Sequence, residues 1–431
     1  MAAGLTSCRT VGLAIARRMV EEAIWHDDRC TWTGDDIDHG PDTLPDGELV
    51  HRPVGADLYG GTSGIAWFLA HAWRAGGDAG ARRVALGAMR HSLRRTGDSP
   101  ADTGLYTGAL GVAVVAGTVA RLLGDDPEAV AIRAGADRLG EAVAARCTAG
   151  GPPVAGDPGG ADLIAGDAGR VVGLLVLARR RGASPALAAT ATVAGERLLA
   201  AADRTSEGWS WPAPDPAWPG LCGLGHGASG PAVALGMLAA ATGDDRFAEG
   251  ANQAERYERS WFDRARGNWP DLRAAPADHP SFWCHGAGGI GVARLLAWRR
   301  TGDPTVLAEA AAALDTATAA TVRALSQAAG AESAAASFGA NLSLCHGVSS
   351  VAELHTIAGE LTGAGGHLAH GRRLALWALN GTDAALGDIA CGVPGGGETP
   401  GLMLGLAGVG ATFLRLADPG WLPSPALPAD W

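Results

Sequence analysis

Apolar and polar stretches alternate along this chain with a long, regular beat. Seven runs rich in Ala, Leu and Val, each about four turns long by helix geometry, open on the same short phrase. It is a Gly, two small residues and usually a second Gly, beginning at Gly61, Gly108, Gly166, Gly227, Gly286, Gly347 and Gly405. Successive copies are 47 to 61 residues apart, a spacing that marks a repeat architecture. Between the apolar runs lie more polar stretches near 78–97, 125–147, 184–203, 244–262, 303–327 and 366–381, and one precedes them all at 10–27. Apolar residues at helical spacing predict helices for both sets.

The punctuation agrees. Each apolar run ends near a Gly, at Gly76, Gly124, Gly182, Gly243, Gly302, Gly363 or Gly420, where a left-handed residue stops a helix. Asp244, Asp303 before Pro304 and Ser184 before Pro185 are start signals for the polar helices. The pattern predicts an all-α protein, a double-layered α/α toroid (barrel) of seven helical-hairpin repeats and about fourteen helices. The apolar helices line the inside and the polar ones shield them. An open solenoid would need polar capping repeats, and the first and last units are no more polar than the middle ones. The expected organisation is a single domain over 1–431, with an outer helix and loop at 1–56, seven repeats at 57–417 and a tail at 418–431. Residues 31–56 read as loop. The Trp- and Pro-rich segments 204–221 and 265–283 read as long connections gathered on one rim.

Composition narrows the function. Hydrophobic residues make up 47% of the 431, but aromatics only 5%, which suits a core of small aliphatic side chains on closely packed helices. Net charge is −11, every basic residue is Arg, and no basic cluster stands out, which argues against nucleic-acid binding. No apolar run reaches membrane-spanning length, and the N-terminus lacks the parts of a secretion signal. The expected location is the cytoplasm, without stable membrane insertion. Seven scattered cysteines make a poor disulfide framework, so reduced thiols, some of them metal ligands, are expected.

The chemistry sits just before the repeated Gly. That position is Gly60, Thr107, Ala165, His226, His285, His346 and Leu404 in the seven units, and Cys284 and Cys345 lie one position earlier. Three consecutive repeats therefore present Cys and His at equivalent places. Two thiolates and one imidazole match a zinc site with three protein ligands and an open fourth position, the catalytic pattern. Cys222, four residues before His226, reads as a buried thiol and not a fourth ligand.

Trp283-Cys284-His285-Gly286, Cys345-His346-Gly347, Gly223 to Gly227 with His226, and the seven Gly phrases together resemble the lanthionine synthetase C-like proteins, the LanC-type cyclases that close thioether rings in lanthipeptides. The resemblance runs from about residue 57 to residue 417. It implies one zinc ion held by Cys284, Cys345 and His346, with His226 as the catalytic acid/base and Asp162 as its catalytic partner or, alternatively, a helix cap. Around them, His285, His279 and Trp283 are expected to support the site or face the substrate. The family's Arg shortly before the Trp-Cys pair is missing, leaving His279 or Arg273 to stand in. The implied activity is addition of Cys thiols to dehydroalanine or dehydrobutyrine, giving (methyl)lanthionine rings in a dehydrated precursor peptide. The implied partners are that peptide, a separate dehydratase and an exporter. Other readings are a non-catalytic zinc scaffold, a relative that adds a small thiol such as glutathione, and a carbohydrate-active α/α barrel with paired carboxylates.

Overall fold

A computed structural model describes residues 2–38, 47–97, 100–149, 160–180, 184–273, 276–329, 339–380, 386 and 388–428. Fourteen helices occur among them. The first seven are α1 (Ala2–Glu21), α2 (Thr62–Gly76), α3 (Ala79–Thr96), α4 (Ala109–Leu123), α5 (Pro127–Ala149), α6 (Asp167–Arg180) and α7 (Pro185–Ala201). There follow α8 (Ser229–Thr242), α9 (Asp245–Ser260), α10 (Ala287–Thr301), α11 (Pro304–Ala328), α12 (Val348–Thr362), α13 (Gly365–Asn380) and α14 (Leu406–Ala417). The even-numbered helices through α14 each begin one or two residues after the first Gly of a phrase. They bury nearly every residue of their first three turns, as α10 and α12 illustrate. The odd-numbered helices bury one face only, as in α9.

The second Gly of the phrase has a packing reason. At Gly289 and Gly408, a Cβ would run into the carbonyl of Trp283 or Leu402, six residues earlier. The chain folds back over the first helical turn so tightly that only hydrogen fits. The stop signals are equally physical. Gly243, Gly302 and Gly363 take φ of 72°, 68° and 71° and donate back into the helices they end. Asp244 and Asp303 accept hydrogen bonds from the N–H of Arg246 (2.9 Å) and Thr305 (2.7 Å), as N-caps do. Ser184 makes no such bond. Two stops shift: α2 is ended by Gly77 (φ 75°), not Gly76, and α14 ends at Ala417, before Gly420. Gly182 lies outside the described residues.

Three antiparallel hairpins depart from the all-helix expectation: β1 (Ile24–His26) with β2 (Arg29–Thr31), β3 (Thr33–Asp38) with β4 (Glu48–Pro53), and β5 (Asp203–Thr205) with β6 (Gly208–Ser210). The first helix accordingly stops at Glu21 and does not reach residue 27. Asp27, at φ 55°, turns the chain there. The segment 31–56 is not plain loop, yet β3 and β4 are mostly half-exposed or exposed on both faces, so no alternation marked them. The third hairpin lies where an irregular Trp-Pro connection was expected.

The chain gathers into two compact units. The first comprises residues 1–97, 118–133 and 319–427, and the second 98–117, 134–318 and 428–431. Within the first, α14 packs against both α1 and α2, so the last buried helix lies beside the first. An open solenoid would keep its end repeats apart. Within the second, α8 packs between α6 and α10, with α9 paired against it.

Candidate functional site

The segments leading into the buried helices are stitched together by their backbones. In the second unit, Tyr106 N–H donates to the Ile164 carbonyl (2.8 Å), Leu163 to Gly225 (3.1 Å) and Gly225 to Cys284 (3.1 Å). In the first unit, Cys345 donates to Met403 (2.9 Å) and Met403 to Tyr59 (2.8 Å). These bonds join residues two or three positions before the repeated Gly. Side chains at the next position along are thereby brought into register.

Gly225 and Cys284 are paired in this way, so the following residues, His226 and His285, become neighbours. Their rings stack with centroids 5.6 Å apart and planes 26° from parallel. Close approach requires glycine on the His226 side. Gly223 has φ of 122°, and a Cβ there would lie 2.7 Å from the Cys284 carbonyl oxygen.

His226 is held by Asp162. Its Nδ1 lies 2.8 Å from Asp162 Oδ2. A carboxylate oxygen accepts, so Nδ1 carries the proton and Nε2 is the nitrogen left for chemistry. Burial alone would lower the His226 pKa, but the hydrogen bond and charge of Asp162, helped by Cys284, raise it above the ordinary histidine value. The other Asp162 oxygen accepts from the N–H groups of Ala165 (2.8 Å) and Gly166 (2.9 Å). One carboxylate thus holds the His226 ring and braces the turn that leads into α6; it is not the helix cap itself, since α6 begins five residues later at Asp167. Asp57, at the same place in the first repeat, accepts from Gly60 N–H (2.8 Å) and braces the equivalent turn in a repeat without this histidine.

His285 is 3% exposed, and among the described residues neither ring nitrogen has a hydrogen-bond partner. Burial lowers its pKa, which favours the neutral ring. An unpaired buried polar group costs about 1–3 kcal/mol, so this imidazole lowers stability where it stands. Trp283, in the same loop, is buried and packs edge-on against Tyr106 at 5.4 Å. His279 faces Asp263, with Nε2 3.6 Å from Oδ2. Arg273 forks onto Asp271 through two bonds of 2.9 and 2.6 Å, and its charge is felt at both His226 and His285. Of the two stand-ins for the family Arg, Arg273 is the one that acts electrostatically on the histidine pair.

Two supports were not visible in the sequence. Glu258, on α9, is wholly buried. It accepts from Gly223 N–H (2.9 Å), Ser229 N–H (3.0 Å) and Ser229 Oγ (2.6 Å), clasping both ends of the loop that carries His226. Arg294, also wholly buried, lies 3.2 Å from Glu258 and 2.7 Å from Glu309. Asn268 does similar work for the Cys284 loop. It accepts from Ala287 N–H (3.1 Å) and donates to the carbonyls of His279 (2.8 Å) and Pro280 (2.9 Å). Neither residue carries a local signal, since each partner loop is 11 to 35 residues away in sequence.

The three expected zinc ligands fall in different units: Cys284 in the second, Cys345 and His346 in the first. Among the described residues, no three His, Cys, Asp or Glu side chains are gathered so as to hold a metal ion as they stand. The donors themselves have the chemistry zinc takes. His346 Nε2 donates to the Gly392 carbonyl at 2.6 Å. In the neutral ring this leaves the lone pair on Nδ1, the second-sphere pattern that readies a histidine for a metal. Cys222 is 1% exposed, and burial pushes its thiol well above the usual range, so it is a core residue.

A sequence model of the family described as "Lanthionine synthetase C-like protein" matches residues 52–427. The chain belongs to this family. Structural comparison agrees at the level of the LanC-like fold. The solved structure "Nisin cyclase" shares 16% identity, covers 87% of this chain and 92% of its own, and superposes with a TM-score of 0.63. The fold is therefore of the α/α-toroid type. An unsaturated glucuronyl hydrolase specific for heparin (14% identity, 73% of this chain and 84% of its own, TM-score 0.45) is more distant. So is the cellobiose 2-epimerase from Spirochaeta thermophila (14%, 96% and 98%, TM-score 0.44). Comparison with curated proteins gave no match. No helix of this LanC-like chain, among the described residues, is long and apolar enough to cross a membrane.

Proposed function

We propose that this protein is a lanthipeptide cyclase, which joins cysteine thiols to dehydrated residues of a precursor peptide. The observation that carries the reading is the Asp162–His226–His285 arrangement. It is an oriented acid/base beside a buried, unpartnered imidazole, within the stretch that the family model matches.

The reaction adds a thiolate sulfur to the β-carbon of dehydroalanine or dehydrobutyrine. One carbon–sulfur bond forms, the carbon–carbon π bond breaks, and its electron pair moves into the neighbouring carbonyl as an enolate. A proton delivered to the α-carbon completes the step, with no change in mass. His226, protonated at Nε2 and held through Nδ1 by Asp162, supplies that proton. The negative charge of Asp162 stabilises the ring while it carries both protons, which matches the raised pKa. Arg273, whose charge acts on both histidines, has the sign that would stabilise a developing enolate. His285 offers a neutral nitrogen to the peptide, ending its own isolation.

Cys284, Cys345 and His346 are the residues that would hold zinc, and the chemistry such an ion supplies when bound is a thiol kept deprotonated at neutral pH. The substrate is a peptide dehydrated by a separate enzyme, the reaction is expected in the cytoplasm, and an exporter would take the product.

The test is incubation with a dehydrated precursor peptide, reading free thiols and mass together. Loss of thiols at unchanged mass supports the reading. Peptide binding with thiols untouched would instead mark a non-catalytic scaffold. Consumption of glutathione, with its mass added to the peptide, would mark a small-thiol transferase.

A further inference from the structure

The connection between α13 and α14 passes beside His346, within the first unit. From residue 388 to residue 405 it is neither helix nor strand, yet its backbone is tied at several points. Leu342 N–H donates to the Ala390 carbonyl (2.8 Å), and Gly392 N–H to the Leu404 carbonyl (2.7 Å). Gly397 N–H donates to Asp35 Oδ2 on β3 (2.7 Å). Ile389 and Val393 bury their side chains.

Gly392 is where this segment meets the histidine, its carbonyl accepting from His346 Nε2 at 2.6 Å. No side chain fits at that crossing. A Cβ on Gly392 would lie 2.7 Å from Ser343 Oγ and 3.0 Å from His346 Nε2 itself. The glycine is therefore what lets the carbonyl approach the ring.

Glu398 closes the segment into a loop. Its Oε1 accepts from Ile389 N–H, nine residues back, at 2.5 Å. Arg18 on α1 grips the same carboxylate with both terminal nitrogens, Nη1 lying 2.9 Å from Oε1 and Nη2 bonding Oε2. Nη1 also donates to the Leu386 carbonyl (3.2 Å), while Nε is taken by Glu22 (2.7 Å). One guanidinium thus holds the chain on both sides of Gly392. A forked arginine–carboxylate pair fixes direction as well as distance. With side chains 30% and 16% exposed, this pair adds little to global stability, so its effect is local.

We infer that Arg18 and Glu398 are positioning residues for His346. They hold the 389–398 loop so that the Gly392 carbonyl keeps the ring proton on Nε2 and leaves Nδ1 as the donor atom. A hydrogen bond that fixes the tautomer in this way governs how well a histidine serves a metal. The consequence for metal binding rests on the zinc reading above, whereas the state of the ring does not.

The ring is read by nitrogen-15 NMR on metal-free, full-length protein labelled at histidine, at about pH 8, above the ordinary histidine value. His346→Asn assigns its signals. Glu398→Ala, Arg18→Ala and Gly392→Ala are compared with Glu360→Ala. That control removes a carboxylate paired with Arg415 in the last turn of α12, about 18 Å along the helix from its His346 end. Wild type and Glu360→Ala are expected to hold the proton on Nε2, and the other three variants to divide it between Nε2 and Nδ1. Arg18→Lys, which keeps the charge but loses the fork, should fall between. Release of loaded zinc to EDTA should be at least about tenfold faster in the three variants and unchanged in Glu360→Ala. A wild-type ring in both Glu398→Ala and Arg18→Ala would overturn the inference, as would an equal shift in Glu360→Ala. Wild-type protein that takes up no zinc, while the three variants still shift the ring, would uphold the positioning role and reject the zinc reading. A shifted ring with unchanged zinc release would reject the link to metal binding.

Discussion

One carboxylate joins two repeats: Asp162 braces the turn into its own buried helix with Oδ1 and fixes the imidazole of His226, 64 residues away, with Oδ2 at 2.8 Å. Structure and chemistry share this residue, and substitutions separate them. Asp162→Asn keeps an oxygen for the turn but removes the charge that stabilises protonated His226. Ring closure is expected to slow by about 100-fold, within the range for a positioned acid/base, with unchanged helical content by circular dichroism. Asp162→Ala loses the hydrogen bonds to the Ala165 and Gly166 N–H groups as well and should lower stability by about 1 kcal/mol. Asp162→Asn with a wild-type rate would show that the contact is only architectural.

Glu258 and Arg294 hold the His226 loop from beneath, both without exposure to solvent. Breaking such a pair on one side leaves a buried charge under-compensated, at a cost of about 3–5 kcal/mol. Glu309, 2.7 Å from Arg294, retains part of the compensation. Glu258→Gln should therefore fall at the lower end, about 3 kcal/mol, read as a reduced urea midpoint at unchanged slope. Ser229→Ala, which removes one hydrogen bond to the same carboxylate, should cost about 1.5–3 kcal/mol.

Stability should also depend on pH through a histidine remote from the site. His355, on α12, stacks on His370 at 4.8 Å and meets His367 across 3.4 Å between their Nδ1 atoms. Burial, then the charges of His370, His367 and Arg373, lowers its pKa from 6.5 to about 3. A base whose folded pKa is depressed stabilises the fold above its unfolded pKa, and loses that contribution as pH falls from about 6.5 towards about 3. Urea midpoints measured across this interval should decline, and His355→Leu should flatten the decline. An equal slope in both proteins would assign the acid sensitivity elsewhere.

The metal proposal has its own readout. Protein purified without chelator should carry about one zinc per chain, and Cys284→Ala, Cys345→Ala and His346→Asn should each lower its retention at least tenfold. His285→Asn should retain zinc at the wild-type level. Loss of zinc in His285→Asn alone would move the ligand assignment to the neighbouring repeat position.

Much of this architecture could be read before any coordinates. The Gly phrases foretold the buried helices because a close backbone crossing tolerates only hydrogen at Gly289 and Gly408. The Asp and Gly boundaries placed most partner helices within one or two residues. The β3–β4 hairpin escaped because its faces are alike in polarity. At the site, repetition drew attention to His226 and His285, since only three adjacent repeats replace a neutral residue with histidine there. Repetition was silent about Glu258, Arg294 and Asn268. Glu258 comes from a partner helix, Asn268 from a connecting loop and Arg294 from the buried α10 beyond the repeated phrase, and their contacts are long-range.

The central claim is that His226, oriented by Asp162, protonates the α-carbon during ring closure. It is tested most directly by single-turnover cyclisation of a dehydrated peptide in deuterated water, with wild type and His226→Asn side by side. The account predicts that wild-type protein consumes thiols and places one deuterium on each new α-carbon. His226→Asn should bind the peptide equally and close rings at least 100-fold more slowly. Ring closure by His226→Asn at the wild-type rate would contradict the account and leave the proton to another group.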